Sequence, residues 1–320
     1  MIEPSLLETN EQLPSPAPAS SHLWRILRLL PLTIMLLALL LILALFLMGG
    51  MLKITAWYLL QFIPPLLGLI SLIVILIYVI VKRRFSKLLI TTSILAIICL
   101  LPAILWIRPV AFPASLASTT PTATVRLPAD VPLKVAWGGD TLETNYHAIS
   151  PDQRWAYDLL VEPYMTGSNQ VEDYGCYGVP VLAPASGLVT TAHDGEPDEV
   201  PGVVSNNYVA PTGNHVVIYL ETGTYLVIAH LKPGSVAVAP GDHVEEGQVI
   251  GECGNSGNTS EPHIHIHHQR QDPAVFPLNF AEGLPLYFRD HDGAAMPIGG
   301  VKVEGDETIL SGDTVQHIGE

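Results

Sequence analysis

Hydrophobic positions divide the chain into two regimes. Between residues 24 and 107, Leu, Ile and Val run almost without a break, whereas from about residue 130 short apolar-polar runs alternate between Gly, Pro, Asn and Asp. The first regime predicts helices that are apolar all round, as lipid requires, and the second predicts half-buried strands of period two. Three spans, roughly 29–48, 55–81 and 88–107, are long enough to cross a bilayer. A signal peptide, with one short apolar region and a small-residue cleavage site, does not account for them. A two-helix reading with one interfacial span is the nearest alternative. Pro64-Pro65 predicts a kink in the second span.

After residue 110 no stretch keeps a 3.6-residue period over ten positions. Runs such as Trp155–Val161, Gly187–Ala192, His215–Leu220 and Thr224–Leu231 read as strands, and Glu221-Thr-Gly-Thr224 reads as a hairpin turn. The expected fold class is mainly β, an antiparallel sandwich- or barrel-like sheet preceded by about three transmembrane α-helices. The expected organisation is a polar, Pro-rich disordered tail over 1–24 and a membrane region over 25–108. A Pro/Ser/Thr-rich linker over 109–129, a β domain over 130–290 and an extension over 291–320 complete it.

Charge adds orientation and excludes a class of partner. Arg25 and Arg28 precede the first span, and Lys82, Arg83, Arg84 and Lys87 separate the second from the third, while the first loop offers only Lys53. The positive-inside rule then puts the N-terminus in the cytoplasm and everything after Arg108 outside the cytoplasmic membrane. Residues 109–320 carry 7 Lys/Arg against 27 Asp/Glu, a net charge of −20. So acidic a segment is repelled by nucleic acid and anionic headgroups. Of the three cysteines, Cys99 lies in the third span, and Cys176 and Cys253 share the β domain. An extracytoplasmic setting favours a structural disulfide between that pair over two free thiols.

The richest motif is Gly251-Glu-Cys-Gly-Asn-Ser-Gly-Asn-Thr-Ser-Glu-Pro-His-Ile-His-Ile266. On a strand His263 and His265 share one face while Ile264 and Ile266 take the other. Together with Gly213–Ile218, Tyr225–Leu231 (which holds Ala-His230-Leu) and Pro240–Gly251, the motif resembles the lysostaphin-like (LytM-type) zinc metallopeptidases. Pro180–Val189 resembles the preceding strand of that family, and the resemblance extends from about Tyr146 to Gln269, leaving the membrane region out.

The resemblance implies a LytM-like peptidoglycan endopeptidase domain with one Zn²⁺ per chain. It implies His265 and Asp158 as metal ligands and His230 and His263 as catalytic imidazoles. The sequence departs from the family at the first ligand: four residues before Asp158 stands Arg154, which cannot bind a cation. His147, the nearest upstream histidine, is the replacement expected, with His215 and His193 as competitors. Two imidazoles and a carboxylate leave an open position on zinc, the catalytic rather than the structural arrangement. His267 continues the face of His265, lining the cleft, backing a metal ligand or facing solvent, whereas His268 points the other way and is expected at the surface. His243 and His193 read as turn residues. The loop from Asp194 to Gly213 is either a groove wall or a solvated insertion. These readings lead to a membrane-anchored zinc endopeptidase acting on peptidoglycan peptides. The alternative is a zinc-poor LytM-like binding module that controls another wall hydrolase.

Overall fold

The computed structural model describes residues 20–304 and 307–319. The expected tail lies outside the described residues up to residue 19, and helix α1 already begins at Ser20. Three helical stretches are long and apolar enough to cross a membrane: Arg28–Met48 within α1 (Ser20–Met48), α2 (Gly50–Lys82), and Lys87–Trp106. The third is α3 (Lys87–Leu100) continued by a 3-10 turn, Leu101–Trp106. α2 starts five residues earlier than the hydropathy pattern predicts, so Lys53 lies in its first turn. Gly49 alone separates it from α1, at φ 78°, a conformation that favours glycine. α2 remains one helix across Pro64-Pro65. At Gly68 the backbones of α2 and α3 approach so closely that a Cβ would meet the Ala96 carbonyl oxygen at 2.5 Å. In lipid, close packing of this kind holds helices together.

The remainder is β. In chain order the strands are β1 (Ala123–Val125), β2 (Leu133–Trp137), β3 (Tyr157–Leu160), β4 (Pro180–Leu182), β5 (Gly187–His193), β6 (Asn214–Tyr219) and β7 (Tyr225–Leu231). They continue with β8 (His243–Val244), β9 (Val249–Glu252), β10 (Ile264–Gln269), β11 (Leu286–Phe288), β12 (Val301–Glu304), β13 (Glu307–Leu310) and β14 (Thr314–Val315). Eight of them form one antiparallel sheet in the order β14-β2-β3-β10-β7-β6-β5-β8. Two-stranded sheets β1-β11, parallel, and β4-β9, antiparallel, lie outside it. Leu159, Tyr157, Ile264, Ile266, Ile228, Leu226, Ile218 and Val216 pack with Leu286 and Phe288 in one core. Each large aliphatic side chain so buried contributes about 1.5–3 kcal/mol. The alternate positions of the central strands therefore face the other way, and that face holds the histidines.

Two expected boundaries change. Residues 109–129, read as a free linker, pack onto the domain: Phe112 and Leu127 are buried, and β1 pairs with β11. Apolar residues scattered among the prolines of that stretch have enough surface to bury. The segment 291–320, set apart as an extension, contributes β14 to the sheet edge against β2.

Candidate metal centre

Asp158 on β3 stands directly opposite His265 on β10, which in turn opposes Ala229 on β7. The ladder thus delivers a carboxylate and an imidazole to one row of one face. His265 Nδ1 lies 2.8 Å from Asp158 Oδ1. His147 arrives from the edge, on a 3-10 turn (Tyr146–Ile149) capped by Asn145. The buried Asn145 side chain accepts from the His147 backbone N–H at 3.1 Å and donates to Gly139 O and Ala156 O, which fixes the turn. His147 Nε2 then lies 3.0 Å from Asp158 Oδ2. One ligand atom from each of His147, Asp158 and His265 falls within 4.8 Å of the others, and all three residues are buried. Two nitrogens and one carboxylate converging at this spacing fit a zinc ion with an open coordination position.

His230 and His263 complete the cluster, with ring centroids 4.7 Å apart and His230 5.7 Å from His265. His230 reaches this face through an irregularity. On a regular strand it would share the core side of Ile228, but the β6–β7 register shifts between Asn214 and Val216, and His230 adopts φ 63°. A bulge of this kind re-aims a side chain. Its Nδ1 donates to Ser256 O at 2.7 Å. The loop carrying Ser256 packs backbone to backbone on the turn before β6: a Cβ on Gly213 would sit 2.4 Å from Ser256 O. His263, which immediately precedes β10, donates its Nδ1–H to Glu261 O at 2.7 Å.

Burial pushes the His230 and His265 imidazoles below their usual range, and neighbouring imidazoles add to the effect. Burial also raises the Asp158 carboxyl, but the His147 and His263 rings outweigh it and hold that group well below the carboxylate range. The site therefore sets a carboxylate among imidazoles, and burial favours the neutral, lone-pair-bearing form of His230 and His265, which suits a donor set for a cation.

The competitors for the first ligand position lie elsewhere. His193 is exposed, 3.3 Å from Glu196, and stacks on His215. Arg154 acts away from the metal centre. Its Nε donates to Phe112 O at 2.9 Å and its Nη2 meets Asp140 Oδ1 at 3.0 Å, which fastens residues 109–129 to the domain. His268 is the correction among the histidines. It does point away from His265, but the opposite face is the core, and it is buried, with Nε2 2.7 Å from Thr224 Oγ1. Cys176 and Cys253 are joined by a disulfide. The Asp194–Gly213 loop folds over the loop of Ser256: Asp198 Oδ1 accepts from Asn255 N, and Glu199 exchanges bonds with Asn255. Its Val204 lines a cavity of about 390 Å³ that also touches Asp158, His263, Tyr146, Val301 and Leu310.

Sequence reasoning passed over Asn145 and Tyr146. The Tyr146 ring lies against His147, centroids 4.0 Å apart and tilted by 32°, and its hydroxyl donates to Asp158 Oδ2 at 3.4 Å. An Asn two residues before a histidine, at the start of a short turn, was the available signal for the first. The second had none.

Residues 169–277 match the profile of Peptidase family M23. That stretch, which holds β4 to β10, is where this chain is similar to the family. Solved structures similar to it include a variant of the catalytic domain of the prophage-encoded M23 protein EnpA from Enterococcus faecalis. The two share 17% identity at a TM-score of 0.29, over 48% of this chain and 88% of that one. Lysostaphin from Staphylococcus simulans is 21% identical over 47% of each chain, with a TM-score of 0.31. A zinc-containing peptidase from Vibrio cholerae is 17% identical over 51% of this chain and 41% of its own, also with a TM-score of 0.31. The match thus spans less than half of the lysostaphin and Vibrio chains.

Proposed function

We propose that this chain is a zinc metalloendopeptidase anchored in the cytoplasmic membrane, hydrolysing peptide bonds of cell-wall peptidoglycan with its M23 domain outside the cytoplasm. The observation that carries the reading is the convergence of His147 Nε2, the Asp158 carboxylate and the His265 imidazole within 4.8 Å, with His230 and His263 alongside. In this reading His147, Asp158 and His265 hold the metal. A zinc ion there supplies Lewis acidity toward a peptide carbonyl and toward a water.

The chain's own groups do the proton work. Because Nδ1 of His230 donates to Ser256 O and Nδ1 of His263 donates to Glu261 O, each ring keeps its lone pair on Nε2. One ring takes a proton from the attacking water, and a protonated ring then donates to the developing oxyanion or to the leaving nitrogen. Asp158 keeps its negative charge throughout, since the surrounding imidazoles favour the carboxylate.

The deciding measurement is metal content of the full chain in detergent, by elemental mass spectrometry after dialysis against metal-free buffer. About one zinc per chain is expected, with loss of that zinc in His147→Ala. His230→Ala and His263→Ala are expected to keep the zinc and to lose about 10²–10⁴-fold in peptidoglycan digestion. A wild-type chain that holds no zinc even after reconstitution would sink the peptidase reading and leave the binding-module alternative.

A further inference from the structure

The run Ile264-His-Ile-His-His-Gln269 places two more polar side chains behind His265 on the same face, and neither binds the metal nor moves a proton in the reading above. His265 Nε2 lies 2.9 Å from His267 Nδ1. His267 Nε2 lies 3.0 Å from Gln269 Oε1. Gln269 Nε2 donates to Gln271 O at 2.6 Å. All three side chains are buried: His265, His267 and Gln269 are 4%, 3% and 3% exposed.

The polarity of this hydrogen-bond relay is set from its far end. A backbone carbonyl only accepts, so the Gln269 amide must turn its NH₂ toward Gln271 and its oxygen toward His267. That oxygen also only accepts, so His267 carries its proton on Nε2 and leaves Nδ1 as an acceptor. His265 must then supply the proton, on Nε2. Its Nδ1 is left with a bare lone pair 2.8 Å from a carboxylate oxygen. Two electron-rich atoms face each other there, and a cation between them resolves the conflict.

We propose that His267 and Gln269 are positioning residues that lock His265 in the Nε2–H tautomer and so present Nδ1 to the metal. The inference rests on the metal reading of the preceding subsection. Neither residue touches the reacting atoms; both act through His265. Outer hydrogen bonds to a ligating histidine hold its ring and raise its basicity, and their loss costs about 10–100-fold in metal affinity. The strand geometry makes the arrangement possible, since residues 265, 267 and 269 alternate onto one face of β10.

The test is zinc affinity of the full chain in detergent, by chelator competition, with the visible spectrum of the Co(II)-substituted protein as a second readout. His267→Leu removes the acceptor and is expected to weaken zinc binding by about 10–100-fold and to shift the Co(II) bands. His267→Gln can again offer an oxygen to His265 Nε2–H and is expected to restore most of the affinity. Gln269→Leu, two residues farther from the metal, is expected to give an intermediate loss if His267→Leu fails to fold. Wild-type zinc affinity in folded His267→Leu and Gln269→Leu overturns the inference while leaving the metalloenzyme reading intact. A wild-type chain without zinc removes both.

Discussion

Asp152 carries an uncompensated carboxylate oxygen into the interior. The residue is 2% exposed; Oδ2 accepts from the Asn279 backbone N–H at 2.8 Å, and Oδ1 has no hydrogen-bond partner among the described residues. Burial pushes its pKa from the ordinary 3.8 up to about 6, against weaker opposing pulls from backbone N–H groups and His147. The folded state therefore binds this proton more tightly than the unfolded state, and the associated stability is lost as pH rises through about 6. A shift of that size corresponds to roughly 3 kcal/mol. Asp152→Asn keeps the acceptor for Asn279 and removes the charge. It is expected to stabilise the protein by about 1–3 kcal/mol at pH 7.5 and by much less at pH 4. Denaturant unfolding of both proteins at the two pH values measures this, and an equal difference at both refutes it. The buried histidines act with the opposite sign. His268 falls from 6.5 to about 4 on burial, so its contribution is lost as pH drops below 6.5. The comparison of variant with wild type isolates Asp152 from that background.

At the scale of elements, the site depends on how short loops are tied down around regular strands. β3, β7 and β10 form the rigid floor, and the loop from Cys253 to Thr259 supplies Ser256 O, which holds the His230 ring. The Cys176–Cys253 disulfide anchors the start of that loop across a separation of 77 residues. By loop-closure entropy a crosslink of that span contributes about 4 kcal/mol. Replacing both cysteines by serine is expected to lower stability by about 2–4 kcal/mol, read as a shift in the denaturant midpoint. An unchanged midpoint would show that the crosslink adds nothing to a framework already held by hydrogen bonds. The β7 bulge is the other device: a left-handed conformation at His230 moves one imidazole from the core side to the site side.

For the whole molecule, the question is which side of a membrane the β domain would occupy. The described residues hold three membrane-length helical stretches, with Arg25 and Arg28 at the start of the first and Lys82, Arg83, Arg84 and Lys87 at the junction of α2 and α3. By the positive-inside rule, three crossings with that charge pattern predict the ends of the chain on opposite sides and the acidic domain outside, an expectation that labelling tests. Tyr208, 74% exposed on the Asp194–Gly213 loop, offers a reporter position. In a chain whose native cysteines are blocked or disulfide-bonded, Tyr208→Cys is expected to react with a membrane-impermeant maleimide on intact cells. Labelling that appears only after lysis would reverse the orientation and remove the wall as the substrate.

Sequence alone determined the features that depend on composition and period. These are the three apolar spans, the β character of residues 130–290, and the shared face of His263, His265 and His267, because lipid and the pleat impose those patterns locally. Only the tertiary structure decided what lies across from each strand. Asp158 meets His265 through the register of β3 with β10, His147 comes in on a turn fixed by Asn145, and Arg154 holds residues 109–129. His268 is buried because the face opposite the site is the core, and His230 reaches the site through a bulge. The physical reason is that alternation tells which residues share a face but not what covers it, and a one-residue irregularity reverses the assignment.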